Sequence, residues 1–142
     1  MTRSILLVDD EPNIAFSLEY LMKRDGYDVR CVGDGEAALQ CMREKKPDLV
    51  VLDVMMPKRD GYDVCQTIRR DPELADVKIV ILTAKGGPIE GEKALALGAD
   101  AFFSKPFGIE ELSRRVQRLL GEAPQVASQA TGGPSHAVAD AD

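Results

Sequence analysis

Asp9 and Asp10 follow directly on the apolar run Ile5-Leu6-Leu7-Val8, and Asp53 follows on Leu49-Val50-Val51-Leu52. Thr83 closes Ile79-Val80-Ile81-Leu82, and Lys105-Pro106 closes Ala101-Phe102-Phe103-Ser104. Carboxylates, a hydroxyl and an ammonium at the ends of such runs suit cation binding and the handling of a phosphoryl group. Carboxylates about 4 Å apart repel by roughly 1 to 4 kcal/mol per pair. A fold that crowds them therefore calls for a divalent cation. Few, hard oxygen ligands suit Mg2+, which keeps several waters and leaves positions for phosphate oxygens. A carboxylate at a strand end can also act as a nucleophile and split phosphoryl transfer into two steps, and Asp53 is the candidate.

The elements that must position these groups alternate along the chain. Runs 5–8, 49–52 and 79–82 are continuously apolar, as in interior parallel strands covered on both faces. Val29-Arg30-Cys31-Val32 is interrupted by a charge and reads as an edge strand, and Ala101 to Ser104 is the last strand. Ile14, Leu18, Leu21 and Met22 share a face of a first helix opened by Pro12 and closed near Gly26. Ala38, Cys41 and Met42 stripe a second, with Asp34 as N-cap. Asp60-Gly61 opens a third that carries Val64 and Ile68 and ends by Pro72. A fourth spans about Glu90 to Leu97, preceded by the turn Gly86-Gly87-Pro88. A fifth carries Ile109, Leu112, Val116, Leu119 and Leu120. Five strand–helix units predict an α/β fold: a doubly wound, five-stranded parallel sheet with helices on both faces. In strand order 2-1-3-4-5 the winding reverses between the first and third strands, which carry Asp9, Asp10 and Asp53.

The length, 142 residues, fits one domain, expected over 1–121, with a core large enough to need no staples. Segment 122–142, rich in Ala, Gly, Ser and Pro, has little to bury and is expected to be disordered, reading equally as a tail or the start of a linker. The net charge of −6 argues against nucleic-acid binding, and no apolar stretch reaches membrane-spanning length. Cys31, Cys41 and Cys65 lack metal or redox spacing and read as reduced, partly buried thiols of a cytoplasmic protein. His136 is the only histidine and lies in the tail, so a phosphohistidine donor must be another protein.

Together, Val8-Asp9-Asp10-Glu11, Leu52-Asp53-Val54-Met55-Met56-Pro57, Leu82-Thr83-Ala84 and Lys105-Pro106-Phe107 resemble the receiver domain of bacterial two-component response regulators (CheY-like) over residues 4–120. The resemblance implies that Asp53 is the phosphoacceptor and that Asp9, Asp10, Asp53 and the backbone carbonyl of Met55 hold Mg2+. Lys105 would pair with a phosphoryl oxygen, across a cis Lys105-Pro106 peptide. Thr83 would move towards the phosphoryl group and the aromatic at Phe102 would rotate into the space it leaves. Met55 and Lys85 would flank the hydrolytic water, and an apolar Met55 implies slower dephosphorylation than an Asn there. The implied donor is a histidine kinase or phosphotransfer protein. The implied output surface is the face of the fourth helix, fifth strand and fifth helix. There Asp100, Glu111 and Arg115 resemble charges that pair across homodimers, though Ala101 replaces a second acid. No effector domain is expected after the receiver, so output would run through a downstream protein partner.

Plainer readings stand beside these. Asp9-Asp10-Glu11-Pro12 alone would serve as an acidic helix cap, Thr83 alone could satisfy a strand end, and Phe102 could be simple packing. The main rival function is a small Mg2+-dependent phosphatase or phosphotransferase with an Asp nucleophile. Such enzymes carry an acid two residues after the nucleophile, where this chain has Met55. A flavin carrier of the same topology would want a Ser/Thr/Gly-rich loop in place of Asp9-Asp10-Glu11. A receiver that binds partners without phosphorylation would not need the full residue set. The expectation is a signalling receiver that catalyses only its own phosphorylation and dephosphorylation.

Overall fold

A computed structural model describes residues 3–54, 60–84 and 88–121. Met55, Lys85, the Gly86-Gly87 pair and segment 122–142 lie outside these residues. Five strands, β1 (Ser4–Val8), β2 (Asp28–Val32), β3 (Leu49–Asp53), β4 (Lys78–Thr83) and β5 (Ala101–Ser104), form one parallel sheet in the order β2-β1-β3-β4-β5. Five helices connect or follow them: α1 (Pro12–Arg24), α2 (Gly35–Glu44), α3 (Gly61–Arg70), α4 (Pro88–Ala96) and α5 (Ile109–Leu119). The topology is the one expected from the alternating pattern.

Alternation along each strand divides the core in two. Leu6, Val8, Val50, Leu52, Ile79 and Ile81 pack with residues of α2, α3 and α4. Ile5, Leu7, Leu49, Val51, Val80 and Leu82 face α1 and α5. Every residue of β1 and β3 is buried, whereas no residue of β2 is fully so, as an edge strand requires.

The helix starts are set by local chemistry. The Asp34 side chain accepts from the Ala37 backbone N–H at 2.8 Å, and the Asp60 side chain from Asp63 N–H at 2.9 Å. Each cap satisfies an otherwise orphan donor of the first turn. Helix α4 begins at Pro88, two residues before the expected start, because proline is pre-organised for a first helical turn where no backbone donor is needed. In α2 the buried stripe is Ala38, Leu39 and Met42, while Cys41 is only half-buried. Ile109, expected on the apolar face of α5, is 45% exposed. It opens the helix, one turn before the stretch where Leu112 and Val116 reach the core.

Candidate phosphoacceptor site

Parallel pairing aligns the carboxyl ends of β1, β3 and β4, and this brings together groups far apart in sequence. Leu52 registers with Val8, and Asp53 with Leu82, so Asp9 and Asp53 emerge side by side. The carboxylates of Asp9, Asp10 and Asp53 each place an oxygen within 4.8 Å of the others. Asp53 is 3% exposed and Asp9 6%, while Asp10 sits at the exposed rim.

Lys105 supplies the positive charge. Its Nζ lies 3.2 Å from Asp53 Oδ2 and 3.6 Å from Asp9 Oδ2. The Lys105 backbone N–H donates to the Thr83 carbonyl at 2.7 Å, and the Lys105-Pro106 peptide is cis, as expected. Thr83 ends β4, is 1% exposed, and registers with Ser104 on β5. The sheet therefore holds the hydroxyl-bearing and ammonium-bearing residues to one another through their backbones.

The electrostatics of Asp9 record the crowding. Burial pushes its carboxyl up to about 6, a hydrogen bond from the Glu11 backbone N–H opposes this, and the neighbouring Asp53 charge adds to the rise. Asp9 Oδ2 is buried and accepts no hydrogen bond. A buried carboxylate oxygen with the Lys105 ammonium at 3.6 Å but no hydrogen bond, and two further carboxylates within 4.8 Å, fits a hard divalent cation.

Gly61 is part of the same construction, and sequence reasoning missed its role. A Cβ at this position would lie 2.6 Å from the Asp53 carbonyl oxygen. The Gly61 N–H donates to the Val54 carbonyl at 3.1 Å, so the first turn of α3 rests directly on the acceptor strand. The pair Asp60-Gly61 was legible as a helix start, but not as a close approach to Asp53.

The remaining expected residues fall elsewhere. Phe102 is half-buried and packs against the core on the α4 side of the sheet. Glu111 is exposed, and the Arg115 guanidinium lies 5.9 Å above the Phe103 ring. Asp100, expected among charges that pair across a homodimer, is engaged within the chain. Its Oδ2 accepts from Arg69 Nη2 and from the Ile79 backbone N–H, both at 2.8 Å. The cause is the open end of β4, where the first amides need an acceptor.

The profile of the response regulator receiver domain family matches residues 5–117. The chain belongs to this family. A candidate response regulator of Chloroflexus aurantiacus is 34% identical, with a TM-score of 0.82 over 86% of this chain and 100% of that one. The receiver domain of the sensor histidine kinase PA1611 of Pseudomonas aeruginosa, solved with a magnesium ion in its active-site cleft, is 32% identical. Its TM-score is 0.78, over 86% of this chain and 100% of that one. The BeF3-activated DrrB receiver domain is 31% identical with the same TM-score and coverage. Receiver domains are the signalling modules of two-component systems, phosphorylated on an aspartate by histidine kinases. Among the described residues, no helix is long and apolar enough to cross a membrane.

Proposed function

We propose that Asp53 is the phosphoacceptor, loaded by a partner histidine kinase or phosphotransfer protein with Mg2+ bound at the acidic rim. The observation that carries this reading is the convergence of the Asp53 carboxylate with those of Asp9 and Asp10 under the Lys105 ammonium. Asp9, Asp10 and Asp53 would hold the cation, together with the Met55 carbonyl. When bound, Mg2+ offsets the charge of the carboxylates and of the transferring phosphoryl oxygens.

The protein's own contribution is position and charge. An Asp53 oxygen forms a new bond to phosphorus as the bond to the donor's leaving nitrogen breaks. The donor keeps that electron pair and is protonated. Lys105, already between two carboxylates, is placed to pair with a phosphoryl oxygen. Thr83 supplies a hydroxyl from the end of β4. Water later cleaves the mixed anhydride, which returns the Asp53 carboxylate and releases phosphate.

The added charge would draw Thr83 and Lys105 inward and shift a pre-existing equilibrium of the α4–β5–α5 face, with Phe102 as the turning aromatic. That face would then present Glu111 and its surroundings to a downstream protein or a second copy of the chain. The 1–121 receiver would act as the switching unit, with 122–142 as an appended tail.

Intact mass after incubation with acetyl phosphate and Mg2+ tests this. Wild type gains one phosphoryl group and Asp53→Ala gains none. Equal gain by both variants, or sustained hydrolysis of simple phosphomonoesters by wild type, overturns the reading.

A further inference from the structure

Tyr62, the second residue of α3, joins this helix to the first turn of α4. Its hydroxyl donates to Glu90 Oε1 at 2.7 Å, and the Lys93 ammonium lies 4.5 Å from the centroid of its ring. Burial and the Glu90 carboxylate push the phenol well above its ordinary range, so it stays a donor. On one side, Tyr62 follows Gly61, which rests against the Asp53 carbonyl. On the other, Glu90 precedes Gly91, where an added Cβ would lie 3.3 Å from Cδ2 of Phe102. Two contacts thus join the acceptor strand, through α3, to the helix that covers Phe102, by a route that does not pass through Thr83.

We propose that Tyr62 is a positioning residue that latches α4 to α3 and holds the switch face in its arrangement before phosphorylation. This rests on the phosphoacceptor reading above. The latch is made while Lys105 pairs with the unmodified Asp53 carboxylate. A shift of α4 relative to α3 must break the hydrogen bond or the cation–ring contact. The latch therefore opposes the switched state, and removing it favours that state.

Beryllofluoride, a stand-in for the phosphoryl group on an aspartate, reads this out by calorimetric titration in the presence of Mg2+. Loss of one part-buried hydrogen bond corresponds to about fivefold, so Tyr62→Phe and Glu90→Ala should each tighten beryllofluoride binding by roughly that factor. The double variant should gain no more than either alone. Glu90→Gln, whose amide oxygen can still accept, should bind like wild type. Unchanged or weaker binding by Tyr62→Phe overturns the latch, whatever happens to its melting temperature. Full additivity in the double variant does the same. Failure of wild type itself to take up beryllofluoride would instead sink the phosphoacceptor reading, and the latch with it.

Discussion

The Lys105 ammonium lies 3.2 Å from Asp53 Oδ2 and turns its other side to Asp9, one cation shared by two nearly buried carboxylates. Removing one member of such a set leaves uncompensated charge, which costs more than the intact pairing contributes. Lys105→Ala should lose on the order of 2 kcal/mol of unfolding free energy in chelator, the ammonium being itself part-exposed. Mg2+ should restore most of the loss, since a divalent cation can take over the neutralisation. Urea unfolding with and without Mg2+ measures both effects. A variant as stable as wild type in chelator would show that the ammonium is not neutralising the rim.

Asp9 makes stability depend on pH in an unusual direction. Its carboxyl is raised from 3.8 to about 6, chiefly by burial, so the folded chain binds a proton more tightly than the unfolded chain. Without metal, its contribution therefore disfavours folding above about pH 6 and is relieved as pH falls from 7 towards 4. Two pKa units correspond to about 3 kcal/mol, the most this group can contribute. Asp9→Asn should be more stable than wild type at neutral pH in chelator, and its advantage should shrink in acid. Saturating Mg2+ should reverse the order at neutral pH. A constant difference across this range would contradict the assignment.

Arg69 closes the far end of the sheet. Its Nε donates to the Gly98 carbonyl at 2.8 Å, and Nη1 to the carbonyls of Ala75 and Val77 at 2.9 and 2.7 Å. Nη2 completes the set on Asp100. Gly98 carries a φ of 110°, and a Cβ there would lie 2.7 Å from the Arg69 side chain, so the corner and the guanidinium fit one another. Arg69→Ala should cost about 2 to 4 kcal/mol in thermal or urea unfolding, through several lost bonds and orphaned acceptors. Arg69→Lys should recover only a small part, because an ammonium cannot spread donors across a planar fork. Full recovery by lysine would mean that charge alone matters there.

The sheet and the acidic rim were readable because both follow from contiguous patterns. A continuous apolar run such as Leu49 to Leu52 belongs inside a parallel sheet, and the residue after it must emerge at the carboxyl edge. Asp34 and Asp60 announced their helices through cap chemistry that acts within three residues. The contacts of Tyr62 and Arg69 had no such signature. The bond of Tyr62 to Glu90 and those of Arg69 to Gly98 and Asp100 depend on how α3 meets α4 and the α4–β5 corner, a packing relation between segments 28 or more residues apart. Asp100 shows the same limit. The family resemblance implied a partner across a homodimer, and nothing in the sequence announced that within the chain Asp100 accepts from the backbone of β4 and a side chain from α3.

Gly61 carries no functional group, yet a methyl there would collide with the peptide oxygen of the residue expected to be phosphorylated. Relief would require α3 to lift away or Asp53 to tilt, and either would misaim the nucleophile by more than the reaction tolerates. Randomising this codon should consequently recover almost nothing but the parental residue under selection for signalling. The least reactive side chain near the rim would be among the hardest to replace.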